Sequence, residues 1–214
     1  MNTSIRSLLL AVVLSAPVGA LAAPPAEPSR AVSAPVNPGD MKAALRDLWL
    51  GHIFWVRNVV EGRLGGDPAR AQVAEQQVVA NAKAIASAIE PFYGKAASGK
   101  LFQLLAGHWA AISGYLDGVR AGRKPDQDAA YDRLVRNANE IATFLSDANP
   151  HLPATTLRGL LMAHGAHHVE QIRQLHARQY AEEAATWAAM KDHMLVIADA
   201  LATGIAAQFP ERFK

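Results

Sequence analysis

The chain has 214 residues, half of them apolar, and no cysteine. Disulfides, cysteine-ligated metals, thiol chemistry and a cysteine-linked lipid anchor are therefore excluded. With 21 Lys and Arg against 19 Asp and Glu and no basic tract or basic–aromatic interleaving, the balance also argues against nucleic acid and anionic membrane as partners.

The chain opens MNTSIRSLLLAVVLSAPVGALAAPP. Arg6 gives a short positive start, Leu8 to Ala16 an apolar run, and Ala20-Leu21-Ala22 a small-residue cleavage pattern. This predicts a secretory signal peptide over residues 1–22, with an apolar run too short to span a membrane. Its removal takes away Arg6 alone and leaves the mature chain at +1. The expected location is exported: periplasmic if the source has an outer membrane, otherwise secreted. Residues 23–38 hold five of the twelve prolines and read as a flexible tether. Residues 39–214 suit one domain with a sizeable core.

From Gly39 onward the sequence is Ala-rich and helical in period. Asp67-Pro68 and Pro125-Asp126 look like helix starts, where the missing proline N–H costs nothing. Pro91, Pro150, Pro153 and Pro210 fall at ends or in loops, and Gly65-Gly66 and Ala121-Gly122 mark reversals. The expected helices are 40–63, 67–91, 97–121, 126–147, 154–178 and 182–208. The break between the last two is the least marked, since ARQYAEEA has neither glycine nor proline.

A repeat supplies the missing mark. LRDLWLGH (45–52), LFQLLAGH (101–108) and LRGLLMAH (157–164) align without gaps at a spacing of 56 residues, and so do NAKAIA (81–86), NANEIA (137–142) and HMLVIA (193–198). His52, His108 and His164 are then equivalent, as are Asn81, Asn137 and His193. The fold expected is an all-α six-helix bundle of three repeated helical hairpins, about 40–91, 97–147 and 154–208. Reversals near 66 and 122 predict a third near 178.

On a helical wheel His52 is central on an apolar face: Leu45, Leu48, Trp49, Trp55, Val56 and Val59 lie within about 60° of it, while Arg46, Asp47, Arg57, Asn58 and Glu61 lie opposite. His108 and His164 repeat the pattern among Leu101, Leu104, Leu105, Ile112 and Tyr115, and among Leu157, Leu160 and Leu161. His168 replaces Val56 and Ile112 of the other copies, and His167 replaces Ala111. His151 and His176 read as surface or loop. Residues equidistant from each turn sit level, which places His52 with Asn81, His108 with Asn137 and His164 with His193 in one inner layer.

Two readings of that layer stand. In one it is structural: Asn81 and Asn137 satisfy His52 and His108, and the polar layer fixes helix register. In the other, His52, His108, His164, His193 and His168 bind a transition metal, Cu, Zn, Ni or Fe, all of which neutral imidazole suits, with Cu or Zn favoured. Asn81, Asn137, Met190 and Met194 would surround it. No carboxylate falls in the layer, which argues against Mg, Ca and a carboxylate-bridged di-iron centre. Haem held by two histidines is a third possibility, non-covalent because C-x-x-C-H is absent. Gly51 and Gly107 precede layer histidines and Gly165 follows one, as close helix approach requires. Arg57 reads as a surface residue, with an acid such as Asp199 as its alternative partner. No catalytic residues are apparent: there is no H-E-x-x-H, G-x-S-x-G, phosphate loop or Rossmann glycine pattern, and an enzyme is not the favoured class.

The stretches LWLGHIFWVRN, NAKAIASAIEPFYG, LFQLLAGH, NANEIATFLSDANP and MLVIADALATGIAAQFPERF together resemble a family of small bacterial all-helical hypothetical proteins without agreed function. The resemblance spans nearly all of 45–213. It implies a helical fold and histidines at the positions of His52, His108, His164 and His193. His167 and His168 depart from that pattern. Some members carry enzyme names such as glycosyltransferase, but nothing in these residues resembles a sugar-nucleotide site.

Overall fold

The computed structural model describes residues 37–214. The expected signal peptide and all but the last two residues of the tether lie outside the described residues. Those last two belong to the fold. Asn37 caps the first helix, its Oδ1 accepting from the backbone N–H of Gly39 at 2.7 Å and of Asp40 at 3.3 Å, and Pro38 occupies the first helical position.

The described residues form six α-helices: α1 Pro38–Gly65, α2 Pro68–Ala88, α3 Glu90–Arg120, α4 Lys124–Ala148, α5 Ala154–His176 and α6 Tyr180–Gln208, followed by a single 3₁₀ turn, Pro210–Arg212. None is long and apolar enough to cross a membrane. The number and order match the periodicity. The main difference is at α3, expected to start near 97. Pro91 lies in its first turn rather than ending α2, and the helix is interrupted at Gly94, where φ is +82° and ψ 169°. Glycine tolerates that backbone conformation, which separates one turn, Glu90–Tyr93, from the long helix that resumes at Lys95, close to the expected start.

The three short connections share one geometry. Gly66, Gly122 and Arg178 have φ of 73°, 65° and 59°. In each, the backbone N–H one residue further on reaches back to a carbonyl of the preceding helix: Asp67 to Gly62, Arg123 to Gly118 and Gln179 to Gln174, at 2.8–2.9 Å. This is a left-handed C-cap that satisfies a carbonyl the helix end would leave free. Arg178 is the only non-glycine residue with positive φ among the described residues.

Consecutive helices pack as neighbours, α6 returns to α1, and α5 also meets α1 and α3. The odd-numbered helices thereby bring their apolar faces toward one axis. The buried apolar residues fall into two clusters rather than one. The first takes Leu45, Trp49 and Ile53 from α1, Leu101 to Leu105 from α3, and Leu157 and Leu161 from α5. The second takes Val56, Val59 and Val60 from α1, Ile112, Tyr115, Leu116 and Val119 from α3, and Ile172 from α5. Between the two clusters lie the histidines, after Leu105 and before Trp109 on α3, between Leu161 and Ile172 on α5, and between Trp49 and Val56 on α1.

Candidate metal centre

His52, His108, His164 and His168 meet between the two apolar clusters. One ring nitrogen from each lies within 4.8 Å of the others, and the group contains no carboxylate. Their residues are 4%, 3%, 1% and 2% exposed, so the helical wheel placed all four correctly. Helix spacing explains the arrangement: α1 and α3 contribute one inward position each, and α5 contributes two, four residues apart on one face. The six ring-to-ring centroid distances run from 4.5 Å (His164–His168) to 6.2 Å (His108–His168).

Burial keeps these rings neutral. Desolvation pushes His52 down to about 3, helped by the nearby His108, and His108 to about 4 against its hydrogen bond to Asn137, which favours the charged form. His164 and His168 lie well below the ordinary histidine value for the same reason, reinforced by the other rings. A neutral imidazole carries one N–H and one lone pair. At His108 the lone pair is assigned by its neighbour: Asn137 Oδ1, which can only accept, lies 3.2 Å from Nδ1, leaving Nε2 as the free acceptor. Asn137 is itself held, its Nδ2 donating to the Leu104 carbonyl at 2.9 Å.

Both nitrogens of His52, both of His164, and Nε2 of His108 and of His168 are buried with no hydrogen-bond partner. An unpaired buried polar atom costs about 1–3 kcal/mol. Such a concentration of unpaired nitrogens at one point in a core is what a polar layer built only for structure avoids.

The remaining layer residues sit level with the cluster but turn away from it. Asn81 Nδ2 donates to the Leu48 carbonyl at 2.9 Å, as Asn137 does to Leu104, and His193 Nε2 lies 2.8 Å from the Leu160 carbonyl. The second lone pair of a helical carbonyl accepts each bond. Gly51 and Gly107 make room for it: a Cβ there would stand 3.1 Å from Asn81 Nδ2 and 3.2 Å from Asn137 Nδ2. A Cβ on Gly165 would meet Leu134 at 3.2 Å. The direct Asn81–His52 contact expected from the sequence is not made, and the Asn81 Oδ1 is left unpaired. His193 is outside the four-ring group. It faces His167 instead, at 5.4 Å between ring centroids. Met190 and Met194 are fully buried and pack in the first apolar cluster.

Outside the layer, His151 and His176 are exposed, as expected. Arg57 is not a free surface residue. It grips the buried Glu183 through two 2.8 Å hydrogen bonds and also pairs with Glu61, while Gln171 Nε2 donates to the same Glu183 at 2.9 Å. These contacts hold the Glu183 carboxyl below the usual carboxylate range. Asp199 pairs with Arg46 and Lys42. Sequence reasoning did not find the buried Glu183, because only its position opposite Arg57 across the α1–α6 contact marks it.

An enclosed, mostly apolar cavity lies in the first cluster, lined by Leu45, Ile89, Leu101 and Leu161 among others. It presents almost no polar surface, and none of the four histidines lines it. No protein-family model matches the chain, and no curated protein and no solved structure is significantly similar to it.

Proposed function

We propose that the protein holds one late transition-metal ion, Cu or Zn in preference to Ni or Fe, through His52, His108, His164 and His168. The observation that carries this reading is the set of unpartnered buried nitrogens converging within 4.8 Å. The ring spacing supports it. Four imidazoles on a tetrahedral ion at Zn–N distances of about 2.0–2.1 Å would place ring centres about 5.2 Å apart, and the six distances here straddle that value. Asn137 behaves as the outer partner that a metal-bound imidazole needs, fixing the tautomer and aiming Nε2. The all-nitrogen donor set suits these ions and not Mg or Ca.

A four-histidine shell closes a tetrahedral ion and leaves no open position for substrate. Buffering, delivery or sensing of the metal therefore fits better than catalysis. Rings packed 4.5–6.2 Å apart leave no slot for a porphyrin, which counts against haem. The structural-layer reading draws on the carbonyl bonds of Asn81, Asn137 and His193, and leaves the unpaired ring nitrogens without a role. Those bonds, and the three matching turns, recur at intervals of 56 residues and support an origin in three hairpin copies. The N-terminal pattern supports export, and the stretches quoted above support a resemblance to the small bacterial helical family.

The test is elemental analysis of untagged mature protein, purified and then exposed separately to Cu, Zn, Ni and Fe. One ion per chain is expected, absent in His52→Ala/His164→Ala, and chelation should lower the melting temperature. At free metal 1,000-fold above Kd the ion adds about 4 kcal/mol. A wild type that retains none of the four ions overturns the reading.

A further inference from the structure

Four rings this deeply buried pose a problem of access: an ion must shed its water before it meets them. We propose that His167 and His193 form a second, outer metal-binding pair that captures a late transition-metal ion from solvent and passes it to the buried four. This inference rests on the four-histidine reading above.

Three observations meet at this pair. First, the two residues are half-buried where the four are buried, so the pair has both solvent and core within reach. His167 is the chain neighbour of His168, and His193 is bonded to the Leu160 carbonyl, one helical turn before His164. The pair therefore stands directly outside the cluster.

Second, the geometry suits an ion. The rings are 5.4 Å apart at 70°, and two imidazoles sharing a tetrahedral ion at about 2.0–2.1 Å would sit about 5.2 Å apart. The Leu160 carbonyl accepts from His193 Nε2, which assigns the proton to that nitrogen and leaves Nδ1 as a lone-pair donor. On the other ring, His167 Nδ1 is buried and has no partner. Two nitrogens complete only half of a tetrahedral shell, and water fills the rest. Such a site is weaker than the inner one, as a transfer station must be.

Third, an imidazole is more than the local structure demands. At the positions 56 and 112 residues earlier, Asn137 and Asn81 make the same carbonyl bond with an amide. Position 167 corresponds to Ala111. Histidine at 193 keeps that bond and adds a second nitrogen, and histidine at 167 places another imidazole beside it.

The same correspondence yields a variant that should fold: His167→Ala/His193→Asn restores residue types the chain already uses at matching places. Stopped-flow uptake of Co²⁺ by metal-free protein, followed by its visible absorption, gives the rate. Elemental analysis gives the final stoichiometry. The variant should still take up one ion per chain, but at least tenfold more slowly than wild type, while the exposed His176→Ala control loads at the wild-type rate. One ion per chain in both proteins at equal rates would overturn this inference and leave the buried site standing. No ion in the wild type would overturn both.

Discussion

The third helix pair, α5 and α6, keeps the framework of the other two and changes their chemistry. Its turn has the same left-handed reversal and its second helix makes the same bond to a carbonyl of the first. Yet it carries His168 where α1 and α3 carry Val56 and Ile112, His193 where α2 and α4 carry Asn81 and Asn137, and Arg178 where the other turns have Gly66 and Gly122. Two inward histidines from the first two pairs would make an incomplete shell. The fourth ring comes from the departure in α5. Framework positions and inward histidine positions thus vary separately, and the third pair is where that separation is open to experiment.

The largest effect expected is on pH. The four buried rings take up protons in the folded state only far below the unfolded value near 6.5: about 3 for His52 and about 4 for His108. Between those values the unfolded chain binds more protons than the folded one. Stability of the metal-free protein is then complete above about pH 6.5 and drains as pH falls toward 4, by on the order of 1 kcal/mol per histidine per pH unit. Denaturant titrations at pH 7.5 and 5.0 measure this, and equal midpoints would show that the rings are solvated.

A smaller effect tests the comparison directly. His168→Ile installs the residue α3 uses at the matching position and removes an unpaired nitrogen. It should stabilise the metal-free protein by about 2 kcal/mol and abolish tight metal retention. Opposite signs in the two measurements separate a ligand from a structural polar residue, since loss of stability in the metal-free protein would mean that His168 supports the core.

The smallest concerns the turn. Arg178 holds φ of 59°, a conformation costing a side-chain-bearing residue roughly 1–2 kcal/mol. Arg178→Gly should raise stability by about 1 kcal/mol, net of the entropy glycine adds to the unfolded chain. No gain in thermal or denaturant midpoint would mean that the third turn differs from the first two in more than its residue.

The sequence carried the helices and the inward histidines because both depend on periodicity, which a wheel reads directly. It carried the heights as well: Asn81 does lie beside Gly51, next to His52. It did not carry the direction of the side chains. Asn81 and His193 turn to backbone carbonyls that a wheel does not show, and the contact between Asn137 and His108 has no counterpart at Asn81. Nor could it distinguish Pro91 as a helix start from Pro91 as a helix end, because Gly94 decides that through its backbone angles. The partner of Arg57 was hidden for a different reason: Glu183 is 126 residues away and sits on the first turn of a helix, where an acid is unremarkable by local rules.

The histidine layer also sets an order of events. His52, His108 and His164 are each 56 residues apart in sequence, and they meet only when α1, α3 and α5 have all docked. Contacts of such long range form late in folding, after the local helix pairs. No fragment that lacks α1, α3 or α5 can assemble the cluster, and an unfolded chain has none. Under the proposed reading a metal would be acquired only after that docking, so its presence would report that α1, α3 and α5 are in place.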